Sequence, residues 1–429
     1  MGPPSTSIRR QTLNRRAILA AGAASLCCRH EPELARGRQV VRLWFSYGGK
    51  NRVVLEELVA AFNAAQNDVF VRPVFQGDYY EALAKLRVAI AAKAAPALSH
   101  VVGEIIPYLS EARVLDRFEP YSLQHASDVL PALGQSGSWL HGERHPLVAL
   151  PFNRSTPIAY LNGKVFAEAR LAAPKTWAEL RQTARTLTLR SSGRTLRYGF
   201  GCPVDWWFWT ALVGQAGGEL TEPDGTITLG GVHGVEALEL WRSLVVSDGS
   251  MKPPPGRDFN AWEQTNQDFL AGRVAMIWTS TAFLKYLEEN ASFPVVAAPL
   301  PMQARFSVPS GGTHWVLLAS APEAERRAAA RFVDYMLSPE AAANFATRTG
   351  YIPVTHGAVN RLRASGYFSA HPNFTVAMDQ LAHARPWPWS TRLFRIQREI
   401  VQPRLERAIF GAAEAQALFA EARALAANG

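Results

Sequence analysis

The chain has 429 residues, of which 48% are hydrophobic and 19% are charged. This balance is typical of a globular protein and argues against an intrinsically disordered one. The length exceeds what one ordinary hydrophobic core organises, so we expect two or more lobes. The formal net charge is +9, and residues 1–28 contribute four arginines and no acidic residue, which leaves +5 for the remainder. A charge of this size does not predict a nucleic-acid-binding surface.

The N-terminus has the layout of an export signal. Two pairs of arginines precede an uncharged apolar run that is too short to span a bilayer. The second pair, Arg15 and Arg16, predicts the twin-arginine route, which exports folded proteins. Cys27 stands where a lipoprotein signal places its acylated cysteine, although Leu26 is bulky for the preceding position. We therefore expect residues 1–38 to be an export signal and linker, with a periplasmic mature protein and lipidation as an alternative.

Neither a disulfide framework nor a metal site is predicted. Two of the three cysteines lie in the signal and Cys202 stands alone. His141 and His145 are four residues apart, but the neighbouring Gly142 and Pro146 predict a loop, and no carboxylate set accompanies them. No cofactor is expected.

The first part of the chain alternates between strand and helix patterns. Apolar, β-branched runs alternate with segments whose apolar residues recur at helical spacing. The strands are predicted at residues 40–46, 69–75 and 98–102, and the helices at 51–66 and 79–93. This order predicts a parallel sheet covered by helices, with ligands bound beyond the carboxyl ends of its strands.

The later pattern predicts several crossings between two α/β lobes. Residues 147–151 and 157–161 read as strands that connect one lobe to the next. We assign residues 39–150 to lobe I, with 276–318 returning to it. Lobe II takes residues 151–275 and most of 319–429. Repeated crossings make a hinge and a cleft.

Residues 151–157, with the sequence PFNRSTP, carry prolines at both ends and hydroxyl groups between them. The prolines favour extended chain around Ser155, so its hydroxyl and neighbouring backbone groups are available to hydrogen-bond a ligand. An ordinary crossover between domains is the alternative interpretation.

A dense aromatic segment lies at residues 206–209, WWFW. Trp206 and Trp207 point apart on either a helix or a strand, so the three tryptophans cannot all face one core. We expect at least one indole to line a cavity, where it could stack on a glycerol, a sugar or a quaternary ammonium group. Core packing on both faces is the alternative.

Three further features suit an anionic ligand. Ser280 follows a predicted buried strand and could begin a helix, where hydroxyl and N–H groups bind anions. Gly312 permits close approach of its backbone N–H. Arg392, Arg395 and Arg398 share a basic stretch, and one guanidinium reaching the cleft would bind phosphate. A plain helix cap and solvated surface charges are the alternative interpretations.

The segment TGYIPVT at residues 349–355 follows a predicted helix. Gly350 ends that helix, Tyr351 follows at its end, and Pro353 forces extended chain. Together with residues 151–157 and 310–315, this segment resembles the substrate-binding proteins of ABC importers. The branch it resembles most captures glycerol-3-phosphate and glycerophosphodiesters. The resemblance covers nearly all of the chain from residue 40 onward, and it implies a type II periplasmic-binding-protein fold with two α/β lobes, a hinge and a central cleft.

The resemblance also implies roles for individual side chains. Arg398 would bind phosphate, Ser155, Ser280, Gly312 and Tyr351 would donate hydrogen bonds around it, and Trp206 would stack on the ligand. Tyr79, which follows Gly77 and Asp78 before the second helix, matches a further ligand contact.

Two positions depart from the pattern of that branch. Its acidic ligand residue falls by ungapped spacing on Gly103, so Glu104 serves only if the loop shifts by one residue. A second aromatic stacking position falls near Pro203, which is not aromatic. Loss of a stacking indole favours a larger diester, such as glycerophosphocholine, over glycerol-3-phosphate.

The sequence therefore predicts a monomeric binding protein that delivers a glycerophosphodiester or glycerol-3-phosphate to permease subunits driven by a cytoplasmic ATPase. Enzyme signatures such as a nucleophile elbow, a phosphate-cradling glycine loop or a zinc helix are missing, so an enzyme is not expected. The alternatives are a binding protein for a neutral oligosaccharide, with Trp206, Trp387 and Trp389 lining its cleft, an exported glycerophosphodiester hydrolase, and a ligand-sensing partner of a membrane receptor.

Overall fold

The structure, a computed structural model, describes residues 35–134, 146–253, 258–410 and 414–428. The predicted export signal with Arg15, Arg16 and Cys27, and the pair His141 and His145, lie outside these residues. None of the helices described is long and apolar enough to cross a membrane.

The strands form two main sheets. In chain order they are β1 (Gln39–Phe45), β2 (Val69–Phe75), β3 (Leu98–Val102), β4 (Leu115–Asp116), β5 (Leu150–Ser155), β6 (Pro157–Asn162), β7 (Leu189–Ser191), β8 (Arg194–Gly201), β9 (Met251–Lys252), β10 (Val274–Ser280), β11 (Val295–Ala298), β12 (Val308–Pro309), β13 (Gly311–Leu318) and β14 (Ala384–Arg385). The first sheet has the order β2-β1-β3-β13-β4, with β5 also paired to β13. The second has the order β11-β6-β10-β8-β7, with β9 paired to β8, and β12 pairs with β14 separately.

Helices cover both sheets. In chain order they are α1 (Gly49–Ala65), α2 (Tyr79–Ala91), α3 (Ile106–Glu111), α4 (Pro131–Gly134), α5 (Gly163–Ala169), α6 (Trp177–Leu187), α7 (Trp206–Gln215), α8 (Val232–Arg242), α9 (Asp258–Leu270), α10 (Leu284–Asn290), α11 (Glu323–Leu337), α12 (Pro339–Thr349), α13 (His356–Ala364), α14 (Tyr367–Ala370), α15 (Pro372–Asp379), α16 (Leu393–Arg395), α17 (Gln402–Phe410) and α18 (Ala415–Asn428). Short 3-10 turns at Gly103–Ile105 and Thr281–Phe283 follow β3 and β10, and a π-helical turn at Ile396–Val401 joins α16 to α17.

Local sequence signals explain where the helices beside the cleft begin and end. The carboxylate of Asp78 accepts hydrogen bonds from the backbone N–H groups of Tyr80 and Glu81. In turn, the backbone N–H of Asp78 donates to the carboxylate of Glu81. This capping box fixes Tyr79 as the first residue of α2. At the other end of the chain, Gly350 ends α12 with a φ of +96°, as predicted.

The core consists mainly of two large apolar clusters, and the first contains residues of both sheets, such as Ile158 of β6 and Ile277 of β10. In the first, Leu43 of β1 and Leu55 of α1 are fully buried together with Phe332 of α11. In the second, Phe200 of β8 and Trp278 of β10 are fully buried and their rings lie edge to face at 5.1 Å. Burying each such side chain contributes about 1.5–3 kcal/mol to the free energy of unfolding, so these clusters stabilise the two lobes.

The sheet pairing differs from the lobe boundaries predicted from sequence. Strands β10 and β11, at 274–280 and 295–298, pair with β6 in the second sheet, so the return to the first sheet begins at 311 and not at 276. Helices α11 and α12, at 323–337 and 339–349, pack in the first apolar cluster, and α17 and α18 pack in the second. A buried apolar strand carries no local signal of the sheet that it joins, which is why the boundary at 276 was wrong.

Candidate functional site

Several of the predicted site residues meet at the crossover between β5 and β6. In the first sheet, Ser155 at the end of β5 pairs with Gly311 of β13. In the second, Pro157 at the start of β6 pairs with Ser280 at the end of β10. Both serine side chains are buried, and that of Ser280 accepts a hydrogen bond from the N–H of Ala282 at 3.1 Å. The crossover therefore brings Ser155 and Ser280 together from different sheets.

Gly312 is held against the same crossover. It pairs with Arg154 across a register shift in β13 and has a φ of +92°. A Cβ atom at this position would lie 1.9 Å from the carbonyl oxygen of Asn153. Only glycine fits a backbone this close with this φ, as the sequence suggested.

Tyr351 is placed by the residues on either side of it. The Cα of Gly350 packs so closely on the carbonyl oxygen of Thr281 that a Cβ would lie 2.7 Å from it. The N–H of Ile352 donates to the carbonyl of Arg154 at 2.9 Å. The Tyr351 ring stacks on Phe345 of α12, with centroids 5.5 Å apart and planes at 12°. The phenol is thus fixed at the point where α12, the crossover and β10 meet.

The hydroxyls of Tyr79 and Tyr351 lie side by side, 3.5 Å apart. The side-chain amide of Asn153 donates to both of them, at 2.9 Å to Tyr79 and 3.1 Å to Tyr351. Burial raises the pKa of each phenol above its ordinary value, so both hydroxyls keep their protons. The site therefore holds two adjacent phenols on one amide group.

A buried chain of hydrogen bonds continues behind Asn153. The backbone N–H of Thr313 donates to the amide oxygen of Asn153 at 2.9 Å, and the Thr313 hydroxyl donates to the same oxygen. That hydroxyl also lies 2.6 Å from Nδ1 of His100, whose Nε2 accepts from the N–H of Ser46 at 2.7 Å. Burial lowers the pKa of His100 to about 3, so the ring is neutral at physiological pH.

Arg154 places a buried positive charge beside this cluster. Its guanidinium donates to the carbonyl of Gly312 at 2.9 Å and to the hydroxyl of Ser310 at 2.8 Å. The side chain is fully buried, and burial lowers the pKa of the guanidinium to about 10, which still leaves it charged at neutral pH. Arg154 therefore joins β5 to the start of β13, and its charge lies close enough to Glu104 to favour the charged form of that carboxyl.

Glu104 lies in the 3-10 turn after β3 and is 8% exposed. Its Oε2 atom is buried and has no hydrogen-bond partner among the described residues. Burial raises the pKa of this carboxyl to about 7, while Arg154 favours its charged form and Asp205 opposes it. Asp205 caps α7 of the second lobe, so the Glu104 carboxyl lies near a residue of that lobe. Gly103, the other candidate for the acidic position, has no side chain to offer.

Trp206 opens α7 and is 6% exposed. Its ring meets that of Trp387 edge to face at 5.2 Å, and Trp387 donates to the carbonyl of Ser310 at 2.7 Å. Trp207 points the other way, against Trp262 at 5.3 Å. Trp206, Trp207 and Trp209 are all buried in the second apolar cluster, so the expectation that they cannot share one core is wrong, and the structure shows the alternative of core packing.

Arg398 lies in the π-helical turn at Ile396–Val401 and reaches the first lobe. Its guanidinium carbon lies 3.2 Å from the ring centroid of Tyr80, the neighbour of Tyr79. Among the other arginines of this stretch, Arg392 donates to the carbonyl of Ala426 at 2.8 Å and Arg395 is exposed. The structure thus distinguishes Arg398 from its two neighbours.

The predicted site residues form one group around the crossover, and two further residues lie beside it on the second lobe. Ser155, Ser280, Gly312, Tyr351 and Tyr79 surround the crossover, and Glu104 adjoins them through the charge of Arg154. Trp206 and Arg398 lie on the second lobe. Trp206 contacts Trp387, and Arg398 contacts Tyr80 of the first lobe. Asn153 and Arg154 were not singled out from sequence, although both belong to the segment PFNRSTP. The signal available in the sequence was the presence of four polar residues between two prolines. It did not specify which of their side chains take part in the site.

Comparison with protein families gives a match to the bacterial extracellular solute-binding proteins over residues 57–376. The chain belongs to this family. Its members are solute-binding proteins.

Individual relatives agree with this assignment. The sn-glycerol-3-phosphate-binding periplasmic protein UgpB of Yersinia pseudotuberculosis is 26% identical over 377 residues, which cover 82% of each chain. The crystal structure of UgpB from Mycobacterium tuberculosis in complex with glycerophosphocholine has a TM-score of 0.79 at 22% identity and covers 91% of this chain and 98% of that one. The cyclic α-maltosyl-1,6-maltose binding protein of Arthrobacter globiformis has a TM-score of 0.74 at 21% identity, over 92% and 100% of the two chains.

These likenesses confirm the type II periplasmic-binding-protein fold and the glycerol-3-phosphate-binding branch that the motifs indicated. The protein is therefore an exported solute-binding component of an ABC importer, and its direct partners are a small-molecule ligand and the permease of that importer.

Proposed function

We propose that the protein captures a glycerophosphodiester or glycerol-3-phosphate in the cleft between its lobes and delivers it to the permease. The observation that carries this proposal is the fully buried guanidinium of Arg154 beside the paired phenols of Tyr79 and Tyr351. A buried cation with neutral donors around it stabilises an anion far more than it would a neutral solute.

The remaining residues fit the parts of such a ligand. Ser155 and Ser280 present hydroxyl and backbone groups from the two sheets, so a phosphate between them would hold the lobes closed. Arg398 approaches from the second lobe, where its planar guanidinium can pair with two phosphate oxygens. Trp206 offers an indole face to a glycerol or quaternary ammonium group. The Glu104 carboxyl is suited to accept hydrogen bonds from glycerol hydroxyls.

Two relatives support the choice of ligand class. The Yersinia relative is named for sn-glycerol-3-phosphate, and the Mycobacterium structure contains glycerophosphocholine. Between these ligands we favour the diester, because no aromatic residue stands at Pro203 to stack on a smaller polyol phosphate.

A neutral oligosaccharide is the second candidate. The Arthrobacter neighbour of the same fold is named for a cyclic maltosyl maltose, and the edge-to-face pair Trp206–Trp387 offers aromatic surface of the kind that sugars stack on. Against this candidate stand the buried charge of Arg154 and the contact of Arg398 with Tyr80 across the lobes.

Titration calorimetry of the purified protein against glycerophosphocholine, glycerol-3-phosphate and maltose separates the candidates. We expect a dissociation constant of about 1 μM or lower for a phosphate compound. Arg398→Ala should weaken this binding by about 10- to 100-fold, the range for losing a charge-assisted hydrogen bond. Arg395→Ala removes the same charge from an exposed neighbour and serves as the matched control. Binding of maltose alone would reassign the cleft to neutral sugars.

We further propose that the protein is a monomer, exported by the twin-arginine route, with lipidation of Cys27 as the alternative form of attachment. Gel filtration of the purified protein tests the first point, and an eluted mass of a dimer would refute it.

A further inference from the structure

We infer that Asn153 determines the specificity of the site by fixing the hydroxyls of Tyr79 and Tyr351 as hydrogen-bond donors toward an anionic oxygen. The inference rests on the proposed phosphate ligand, since it names the residue that prepares the phenols for such a ligand. Asn153 is fully buried at the end of β5 and acts as a positioning residue behind them.

The orientation of the Asn153 amide follows from an obligatory donor. The backbone N–H of Thr313 points at one terminal atom of the amide from 2.9 Å. An N–H group only donates, so the atom facing it must be the carbonyl oxygen. The NH₂ group of Asn153 therefore faces the two phenols, and each of its hydrogens has one phenol oxygen to bind.

A second backbone group fixes the rest of the chain of hydrogen bonds. The N–H of Ser46 donates to Nε2 of His100, so this nitrogen is an acceptor and the proton of the neutral ring lies on Nδ1. Nδ1 then donates to the hydroxyl of Thr313 at 2.6 Å. Because that hydroxyl accepts from His100, its own proton is directed to the Asn153 oxygen. Every bond from Ser46 to Asn153 thus runs in one direction.

The direction of these hydrogen bonds determines whether the phenol hydroxyls donate to a ligand or accept from it. The oxygens of Tyr79 and Tyr351 both accept from Asn153, so each hydroxyl proton is left to point away from the amide. At 3.5 Å the two hydroxyls are at the limit of a hydrogen bond with each other, so an anionic phosphate oxygen is a better acceptor for both protons than the partner phenol is. A phosphodiester oxygen only accepts, and it matches a pair of fixed donors. A sugar hydroxyl must also donate, and its proton would find no acceptor of equal quality there.

Asn153→Asp reverses this direction while almost preserving the shape of the side chain. One carboxylate oxygen would still accept from Thr313, and the other would replace the NH₂ group and accept from both phenols. Each phenol proton would then turn away from the ligand. We expect the affinity for glycerophosphocholine and glycerol-3-phosphate to fall by at least about 100-fold, the scale for losing two charge-assisted hydrogen bonds.

The added negative charge of this variant would also repel an anion, so a cycle of variants separates the two effects. Asn153→Ala removes the amide without adding charge, and we expect it to weaken binding about 10-fold in the wild-type background. In the background Tyr79→Phe with Tyr351→Phe there is no phenol to orient. There Asn153→Ala should change the affinity less than about twofold. Circular dichroism of each variant verifies that the comparison is made on folded protein.

The possible outcomes are distinct. A loss on Asn153→Ala that disappears in the double-phenylalanine background supports the role of Asn153. An equal loss in both backgrounds, with tight phosphate binding by the wild type, overturns this role and leaves the proposed function intact. Binding of maltose with no phosphate compound bound would overturn both.

Discussion

The guanidinium of Arg398 lies over the ring of Tyr80, with 3.2 Å between its central carbon and the ring centroid. Arg398 belongs to the turn that leads into α17 of the second lobe, whereas Tyr80 belongs to α2 of the first. The contact joins the lobes at the edge of the candidate site and sets the direction from which the arginine approaches.

Loss of this contact should weaken ligand binding without removing the charge. Tyr80→Ala is expected to reduce the affinity for glycerophosphocholine about three- to fivefold, the size of an exposed cation–π interaction. Tyr108→Ala is the matched control, because the Tyr108 ring pairs with Arg87 at 6.0 Å away from the cleft. Calorimetry should show no change for the control. Equal losses in the two variants would mean that Arg398 does not depend on Tyr80.

The raised pKa of Glu104 predicts a pH-dependent stability. Burial raises this pKa from the ordinary 4.5 to about 7, so between these values the folded protein holds a proton that the unfolded chain has released. The contribution of Glu104 to the free energy of unfolding is therefore largest below pH 4.5 and is lost as the pH rises to about 7. The full loss is on the order of 3 kcal/mol.

Glu104→Gln tests this prediction in urea denaturation measured from pH 4.5 to 8. The variant should lack the decline that comes from the carboxyl, so the free energy of unfolding of the wild type should fall relative to that of the variant as the pH rises. Glu323→Gln is the control, because Glu323 is exposed and paired with Arg327. Parallel curves for wild type and Glu104→Gln would show that Glu104 has an ordinary pKa. Burial also lowers the pKa of His100 from 6.5 to about 3, so its contribution to stability rises with pH between these values; this contribution is common to both proteins and cancels in their difference.

A methyl group at Gly312 should disturb the crossover more than its backbone angle alone predicts. Gly312→Ala combines a φ of +92° with a contact of 1.9 Å to the Asn153 carbonyl oxygen. Gly225→Ala is the control, with a φ of +87° and no atom within 4 Å of the added Cβ. The control should cost about 1–2 kcal/mol of unfolding free energy, and Gly312→Ala about 1–3 kcal/mol more. Equal costs in chemical denaturation would exclude a role for the close approach.

The paired arginines of the export signal lead to a test in cells. Replacing Arg15 and Arg16 with lysine together should keep the protein in the cytoplasm if it follows the twin-arginine route. The same double replacement at Arg9 and Arg10 preserves the net charge equally and should leave export unchanged. Fractionation of periplasm and cytoplasm measures both, and export of the first variant at the wild-type level would point to a different route.

Local features of the fold were predictable because their causes are local. Strands β2 and β3 have the predicted bounds, and Gly350 ends its helix as its left-handed φ requires. The partners of a strand have no such local signature. The segment 276–298 was therefore expected to return to lobe I, whereas its strands pair in the second sheet, although β10 itself was predicted.

The same distinction applies to the site. Motif resemblance named Tyr79 and Tyr351 but not Asn153, which is seen only when the register shift in β13 places Thr313 behind it. Arg154 was equally hidden, because an arginine at a crossover is ordinarily solvated and its burial follows from Ser310 and Gly312 in a distant strand. The electrostatics of the site thus depend on contacts between segments more than 150 residues apart.

The place of β13 in the first sheet also constrains the order in which the protein can fold. This strand lies between β3 and β4 and is the partner of β5, yet it begins at residue 311. During synthesis, the first sheet therefore lacks its β13 strand until every described strand of the second sheet has emerged. Its high contact order favours completion of both lobes in one late step. Chains truncated before residue 311 should accordingly show little hydrogen-exchange protection in β3, and strong protection there would contradict this order.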